Sequence, residues 1–315
     1  MRSEFEFIHY IKKKNVLGHV GDDCAVLPKD AKTDLLVTAD LLVEDIDFRL
    51  EWTTPGFLGH KALAVSLSDI AAMGGEPKWS MLSLGLPERI WSSAFLDEFY
   101  EGWHQLASHF NVELVGGDVS RVSDKLVIDS IVGGEVPRGR AVLRSGARPG
   151  DAIYVTGSLG GAAAGLRLLD AGSRYTDANG RERSLLLRQL KPSPQNGIPI
   201  RELGATAMID ISDGLSSDLA HLCGSSGVGA AVFADLIPID RGIRSLELPP
   251  DEMLDLALNG GEDLELLFTA NEKKISRPLP APFHRIGEIT ANVHILELTR
   301  EGITSRLHPK GYRHF

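Results

Sequence analysis

Apolar and polar positions alternate in short runs along this chain, and longer segments with helical spacing separate them. Ser3 to Lys14 carries Phe5, Ile8 and Ile11 on one face, which predicts a short amphipathic helix. Strand-like runs follow at Cys24–Leu27, Leu35–Thr38 and Trp79–Leu86. An Ala- and Leu-rich helix is predicted over Phe57–Met73, stopped by Gly74-Gly75. A second helix over about Ser93–Phe110 leads into a strand at Val112–Val115, and Leu126–Ile131 reads as another strand before Gly133-Gly134. The polar, turn-rich stretch Arg144–Asp151 then interrupts the pattern and predicts a boundary, with domains over 1–148 and 149–315.

Beyond that boundary the alternation resumes. Ala152–Thr156 reads as a strand, a glycine-rich turn follows, and Ala162–Asp170 reads as a helix. Gly172–Arg183 is expected to be a mobile surface loop. Strand Ala207–Ile211, helix Leu215–Cys223 and strands near Ala230–Phe233, Leu264–Thr269 and Val293–Leu296 complete the reading. Strands and helices alternate in both halves, so the predicted class is α/β (α+β) with two domains.

Composition narrows the function classes. The 315 residues are 43% hydrophobic and 24% charged, as expected of a chain able to form two packed cores. No window is long and apolar enough to span a bilayer, so no membrane partner is expected, and the N-terminus lacks the layout of a signal peptide. The two cysteines, Cys24 and Cys223, have no metal-type spacing and point to a reducing, cytoplasmic setting. The net charge of -10 argues against nucleic-acid binding.

Where the acids lie matters more than their number. Five words stand out: Gly21-Asp22-Asp23-Cys24-Ala25, Val37-Thr38-Ala39-Asp40, Ser66-Leu67-Ser68-Asp69 running to Gly74, Val115-Gly116-Gly117-Asp118, and Ile209-Asp210-Ile211-Ser212-Asp213-Gly214. Each sets a carboxylate at the edge of an apolar strand or among the apolar neighbours of a small-residue helix. Withdrawing a carboxylate from water costs several kcal/mol unless it is paired, protonated or metal-bound. The words hold no basic residue, so a hard cation with oxygen ligands is the economical solution, and Mg²⁺ suits a site that also holds phosphates. A single Asp at a strand end is more often a turn or cap residue: Asp22 reads as a turn residue beside Asp23, and Asp213 could simply cap the helix that follows. Gly116-Gly117 and Gly260-Gly261 would let backbone approach a ligand or form plain tight turns. Gly157-Ser158-Leu159-Gly160-Gly161 fails the dinucleotide spacing at Leu159, and neither a Walker word nor the protein-kinase signature set occurs.

Taken in order, these words resemble the thiamine-monophosphate kinases, in the superfamily shared with aminoimidazole ribonucleotide synthetase, selenophosphate synthetase and the hydrogenase-maturation dehydratase. The carriers are Gly-Asp-Asp-Cys-Ala at 21–25, Lys61–Val65 leading into Ser68–Gly74, Gly-Gly-Asp at 116–118, Arg144-Ser145-Gly146 with Pro149-Gly150-Asp151, Ile209–Leu215, Gly260–Asp263, and Lys310–Phe315. The resemblance implies a homodimer formed through the N-terminal sheet, a C-terminal α/β domain, and ATP with several Mg²⁺ ions in the cleft between domains. It implies Asp23, Thr38, Asp40, Asp69, Asp118, Asp210 and Asp213 as metal ligands. Phe110, Gly117, Asp118, Arg144 and Ser212 would hold the nucleotide, and Glu262 and Tyr312 would contact thiamine monophosphate. Asp210, Asp213 and Arg144 would assist transfer from ATP to thiamine monophosphate, giving thiamine diphosphate. A phosphate acceptor is already ionised, so the acids read as a metal cage rather than as general bases.

Three positions depart from the family pattern: Ala39 where a hydroxyl is usual, Val119 after Gly-Gly-Asp, and Asp47 where a substrate-contacting histidine precedes Phe48. Asp47 is either a surface substitution or a carboxylate facing the substrate's cationic ring or amine. The competing readings are a sister activity of the superfamily, such as the aminoimidazole ribonucleotide synthetase type, and a non-catalytic nucleotide-binding paralogue. Cys24 lies inside the metal word and the chain ends in Phe315, unlike the cysteine placements expected of the selenium and hydrogenase enzymes.

Overall fold

The structure is a computed structural model and describes residues 4–15, 17–275 and 283–312. Ser3, the Phe5 side chain and Arg313-His314-Phe315, all used in the reading above, lie outside the described residues.

Two sheets organise the chain. The first joins β1 (Ala25–Pro28), β2 (Thr33–Val43), β3 (Glu76–Leu86), β4 (Glu113–Arg121) and β5 (Val127–Pro137) in the order β1-β2-β5-β3-β4. All its pairs are antiparallel except β3 with β4. In β2, Asp34, Leu36, Thr38 and Leu42 are buried while their alternating neighbours are more open, which is the period of a strand packed on one face. Strand β4 forms an edge and is exposed along its whole length.

This half of the chain also contains helices α1 (Glu4–Asn15), α2 (Pro55–Ala72), α3 (Glu88–Trp91) and α4 (Phe95–Phe110). Helix α2 starts where Thr54 accepts the Phe57 N–H at 3.2 Å and proline occupies the first turn. It packs on β2 and β5, on α4, and on β7 of the second sheet, so it is buried on nearly every side. That placement explains its Ala- and Leu-rich composition. Helix α4 turns Phe99, Trp103 and Leu106 toward the same core and ends at Asn111, a left-handed cap at φ 55°.

The second half contains β6 (Ala152–Thr156), α5 (Gly161–Asp170), α6 (Gly180–Leu190), α7 (Ile198–Leu203), β7 (Ala207–Ile211), α8 (Leu215–Ser226), β8 (Gly229–Phe233), α9 (Pro250–Asn259), β9 (Glu265–Ala270), β10 (Phe283–Thr290), β11 (Leu296–Arg300) and β12 (Ile303–Arg306). Its strand order is β12-β11-β8-β10-β6-β9-β7. Strands β6, β7 and β9 are buried throughout, matching their unbroken apolar runs.

Three expectations shift. Gly180–Arg183 are helical rather than loop, because they form the first turn of α6, whose Leu185, Leu186 and Leu190 are buried. The last predicted strand begins at Leu296, not Val293, since Ile295 closes a turn on Asn292 at 3.0 Å. Asp40 and Asp118 lie inside strands β2 and β4, not at strand ends.

Candidate functional site

Carboxylates from three distant segments converge between the sheets. Asp23 enters from the turn before β1, Asp69 from the last turns of α2 and Asp210 from β7, and each offers an oxygen within 4.8 Å of the others. Each is fixed by a different donor. Thr38 on β2 donates its hydroxyl to Asp69 Oδ2. Ser68 donates to Asp210 Oδ2 at 2.7 Å. Arg144 donates through Nε at 3.1 Å, and through Nη2, to Asp23 Oδ1. The other Asp23 oxygen, Oδ2, is buried and has no hydrogen-bond partner. Asp40, beside this group on β2, accepts from Ser66 at 2.6 Å. Ser66 and Ser68 thus serve carboxylates on two different sheets from one helix.

The electrostatics are those of unneutralised acids. Burial pushes Asp210 up to about 7, helped by Asp23 and opposed by the Ser68 hydrogen bond. Burial raises Asp40 to about 6, with Asp129 and Asp23 adding to it against Ser66. Asp69 rises well above the usual carboxylate range, through burial first and then Asp40 and Asp210. Asp23 is raised by burial even though Arg144 opposes the shift. Arg144 is itself held charged by Asp23, Asp210 and Asp69 against the effect of its burial. The Cys24 thiol is driven well up by burial and by Asp69 and Asp23, so it stays neutral and is no nucleophile here. An all-oxygen set of crowded carboxylates, one with an orphaned inner oxygen, fits a hard divalent cation.

The remaining predicted residues divide into two groups. A cleft of about 420 Å³ runs from Asp40, Asp69 and Asp210 past Ser212 to Asp47, Glu262 and Tyr312, with Trp52, Leu166 and Leu169 on its apolar wall. Asp47 and Glu262 both raise the Tyr312 hydroxyl, after burial. Asp47 also has a structural duty, since its Oδ2 accepts the Val43 N–H at 2.8 Å. Asp213 sits next to the cleft but does not cap α8: the N-cap is Gly214, and Gly214 N donates to Asp218 Oδ2 at 3.0 Å. Asp22 accepts the Arg144 N–H at 2.7 Å, a long-range tie between the turn before β1 and the segment joining the two halves rather than a bond within its own turn. By contrast, Gly117 and Asp118 lie on exposed edge strand β4, outside the three-carboxylate group, and Phe110 ends α4 half-buried against the first core.

Chain packing accounts for three of the four glycines read as ligand approaches, all but Gly116, whose added Cβ would meet only Met81 at 4.0 Å. A Cβ on Gly117 would lie 1.9 Å from the Leu82 carbonyl oxygen, and one on Gly261 would lie 2.5 Å from that of Ser212. The glycine-rich turn before α5 is filled from within. Asp263 accepts Gly160 N at 2.5 Å and Ala162 N at 3.0 Å, so a carboxylate of this chain occupies the helix N-terminus where a dinucleotide phosphate would bind. Arg188 then ties Asp263 to Glu265 and to the Ser158 carbonyl.

The sequence words contain Ser66, Ser68 and Lys61 without assigning them a role, and Gln189 and Asp218 were missed altogether. Lys61 and Gln189 both donate to Glu262. Asp218 is buried in α8 and raised well above its ordinary value by burial, Asp213 and Asp210. A serine three or one residues before Asp69, and a lysine eight before it on one helical face, were the available signals.

Comparison with known proteins adds a second line. Residues 21–136 match the AIR synthase related protein N-terminal domain, and residues 148–296 match its C-terminal domain. Thiamine-monophosphate kinase of Escherichia coli K12 is 40% identical over 304 residues, covering 94% of this chain and 91% of that protein. The same-named protein of Bacillus subtilis is 34% identical, covering 99% of each. A solved structure described as AaThiL complexed with AMPPCP and TMP superposes with a TM-score of 0.89 at 34% identity, covering 100% of this chain and 99% of that one.

Proposed function

Because this chain belongs to the thiamine-monophosphate kinase family, we infer that it transfers the terminal phosphoryl group of ATP to thiamine monophosphate, giving thiamine diphosphate and ADP. The observation that carries this reading is the convergence of Asp23, Asp69 and Asp210, with one buried oxygen unpartnered, at the end of a cleft lined farther along by Asp47, Glu262 and Tyr312. One end suits polyphosphate with metal, and the other suits a cationic, amine-bearing ring.

Asp23, Asp69 and Asp210, with Asp40 and Thr38 beside them, would hold Mg²⁺, and Asp118 and Asp213 would enlarge the set when nucleotide is bound. Bound Mg²⁺ would neutralise phosphate oxygens during in-line transfer. Ser66, Ser68 and Thr38 each donate to one oxygen of Asp40, Asp210 and Asp69, which orients these carboxylates before any ion binds. Arg144 contributes a permanent positive charge to the cluster and, with Ser212, Phe110 and Gly117, is assigned to the nucleotide. The attacking phosphate oxygen is already anionic, so no residue has to remove a proton from it.

The outer face of the first sheet supports a homodimer. Leu41 and Met81 are 60% and 39% exposed there, beside half-buried Leu35, Val37 and Ile131, an apolar surface that fits a second copy of the same sheet. No described helix is long and apolar enough to cross a membrane. Both cysteines are free and buried, which supports a cytoplasmic setting.

ADP release measured with and without thiamine monophosphate, in Mg²⁺ and in chelator, tests the reading. Release that requires both is expected. Release indifferent to thiamine monophosphate would refute it.

A further inference from the structure

At the ring end of the cleft, Lys61 and Glu262 form a pair whose geometry exceeds what packing requires. Lys61 Nζ lies 2.8 Å from Glu262 Oε1 and 2.9 Å from Oε2. The lysine side chain is 5% exposed and the glutamate 34%. Gln189 Nε2 donates to Oε2 as well. A carboxylate has about four in-plane acceptor positions, two on each oxygen. Oε2 accepts from both Lys61 and Gln189, whereas Oε1 meets only the lysine at ion-pair distance, which leaves Oε1 the oxygen with acceptor capacity for a cleft ligand.

The backbone supports the same conclusion. Glu262 sits at φ 64°, a conformation that costs a non-glycine residue energy, although Gly260 and Gly261 stand immediately before it. Its N–H is held by the Ser212 carbonyl at 2.7 Å. Helix α2 brings Lys61, Val65 and Asp69 to the cleft at successive four-residue steps. At the rise of an α-helix, Lys61 and Asp69 stand about 12 Å apart along the axis. One rigid, fully packed helix therefore fixes the distance between the Glu262 anchor and the metal-type carboxylates.

Thiamine monophosphate has one N–H donor group, the exocyclic amine of its pyrimidine; its hydroxyl is esterified and its thiazolium carries no N–H. We propose that Lys61 and Gln189 are positioning residues that clamp Glu262 so that Oε1 accepts this amine, which makes the site selective for the aminopyrimidine and sets its distance from the reacting phosphate. The inference rests on the kinase reading above. It adds residues that act through Glu262 rather than touching the substrate themselves.

The test compares full-length wild type with Lys61→Met, Lys61→Arg and Gln189→Leu. The substrates are thiamine monophosphate and its analogue bearing a carbonyl oxygen in place of the pyrimidine amine. Wild type is expected to favour the amine. Lys61→Met is expected to raise KM for thiamine monophosphate roughly tenfold or more, the scale of a lost hydrogen bond to a charged group, with KM for ATP within about twofold. Its preference for amine over carbonyl should collapse, and Lys61→Arg should keep most of it. If Lys61→Met does not fold, Gln189→Leu carries the same comparison with a smaller loss of preference. Preference unchanged from wild type in the folded variants, or KM raised equally for both substrates, would overturn the clamp, as would a wild type indifferent to the amine. Wild type that turns over neither ester would instead overturn the kinase reading on which the clamp depends.

Discussion

Replacing Asp210 by asparagine should stabilise the metal-free protein while abolishing its activity. Asp210 is pushed up to about 7 at a buried position facing Asp23, Asp69 and Asp40, so near pH 8 the fold must carry a charge that burial opposes. An unfolded aspartate titrates near 3.9, roughly three pH units lower, and at about 1.4 kcal/mol per unit the burden comes to about 4 kcal/mol. That figure is a ceiling, because neighbouring carboxylates share the proton. The folded value is raised, so the folded state binds the proton more tightly than the unfolded one. The penalty is therefore full above about pH 7 and fades as pH falls toward 4, so only a minor part of it remains at pH 5. Asparagine keeps an oxygen for the Ser68 hydroxyl and removes the charge. Thermal unfolding in chelator should show Asp210→Asn melting several degrees above wild type at pH 8, with a smaller gap at pH 5. Added Mg²⁺ should raise the wild-type midpoint at pH 8 and leave that of the variant nearly unmoved. A variant less stable than wild type at pH 8, or a gap independent of pH, would refute the argument.

Three further outcomes follow from other contacts. Asp47→Asn preserves an acceptor for the Val43 N–H but removes the charge, so KM for thiamine monophosphate should rise several-fold with KM for ATP and the melting temperature unchanged; equal rises in both KM values would remove Asp47 from the substrate side. Arg188→Met strands Asp263 and Glu265 as buried acids and should cost about 3–5 kcal/mol in denaturant unfolding, and a loss below about 1 kcal/mol would show that the ion network is dispensable. Leu41→Arg on the outer face of the first sheet should convert a dimer to monomer in light scattering, and an unchanged mass would move the interface elsewhere.

Much of the site was legible because its acids are locally anomalous. Asp23, Asp69 and Asp210 each interrupt an apolar word, and an apolar word tolerates a carboxylate only where something neutralises it. Their donors were far less legible. Lys61 and Glu262 are 201 residues apart in sequence, and Ser68 and Asp210 are 142 apart, so neither pairing has a local signature. Asp118 looked equivalent to the others by its word alone, yet edge strand β4 leaves it exposed, and strand order is not written in any one segment. Helix α6 was hidden because its first turn, Gly-Arg-Glu-Arg, is as polar as the loop before it. Helix α9 was overlooked although Leu254, Ala257 and Leu258 give it a regular helical stripe.

The internal carboxylate at the head of α5 has a mechanical consequence. Asp263 bolts the segment carrying Glu262 to α5, while Glu262 N and Leu264 N are tied to the carbonyls of Ser212 and Ile211. Glu262, the Ser212 turn, the strand bearing Asp210 and the head of α5 are thus fastened as one block. Neither Glu262 nor the β7 carboxylate can shift without carrying the other. Lys61 and Ser68 fasten α2 to the same block, so any narrowing of the cleft around its ligands has to come from segments outside both rather than from Glu262 or Asp210 moving alone.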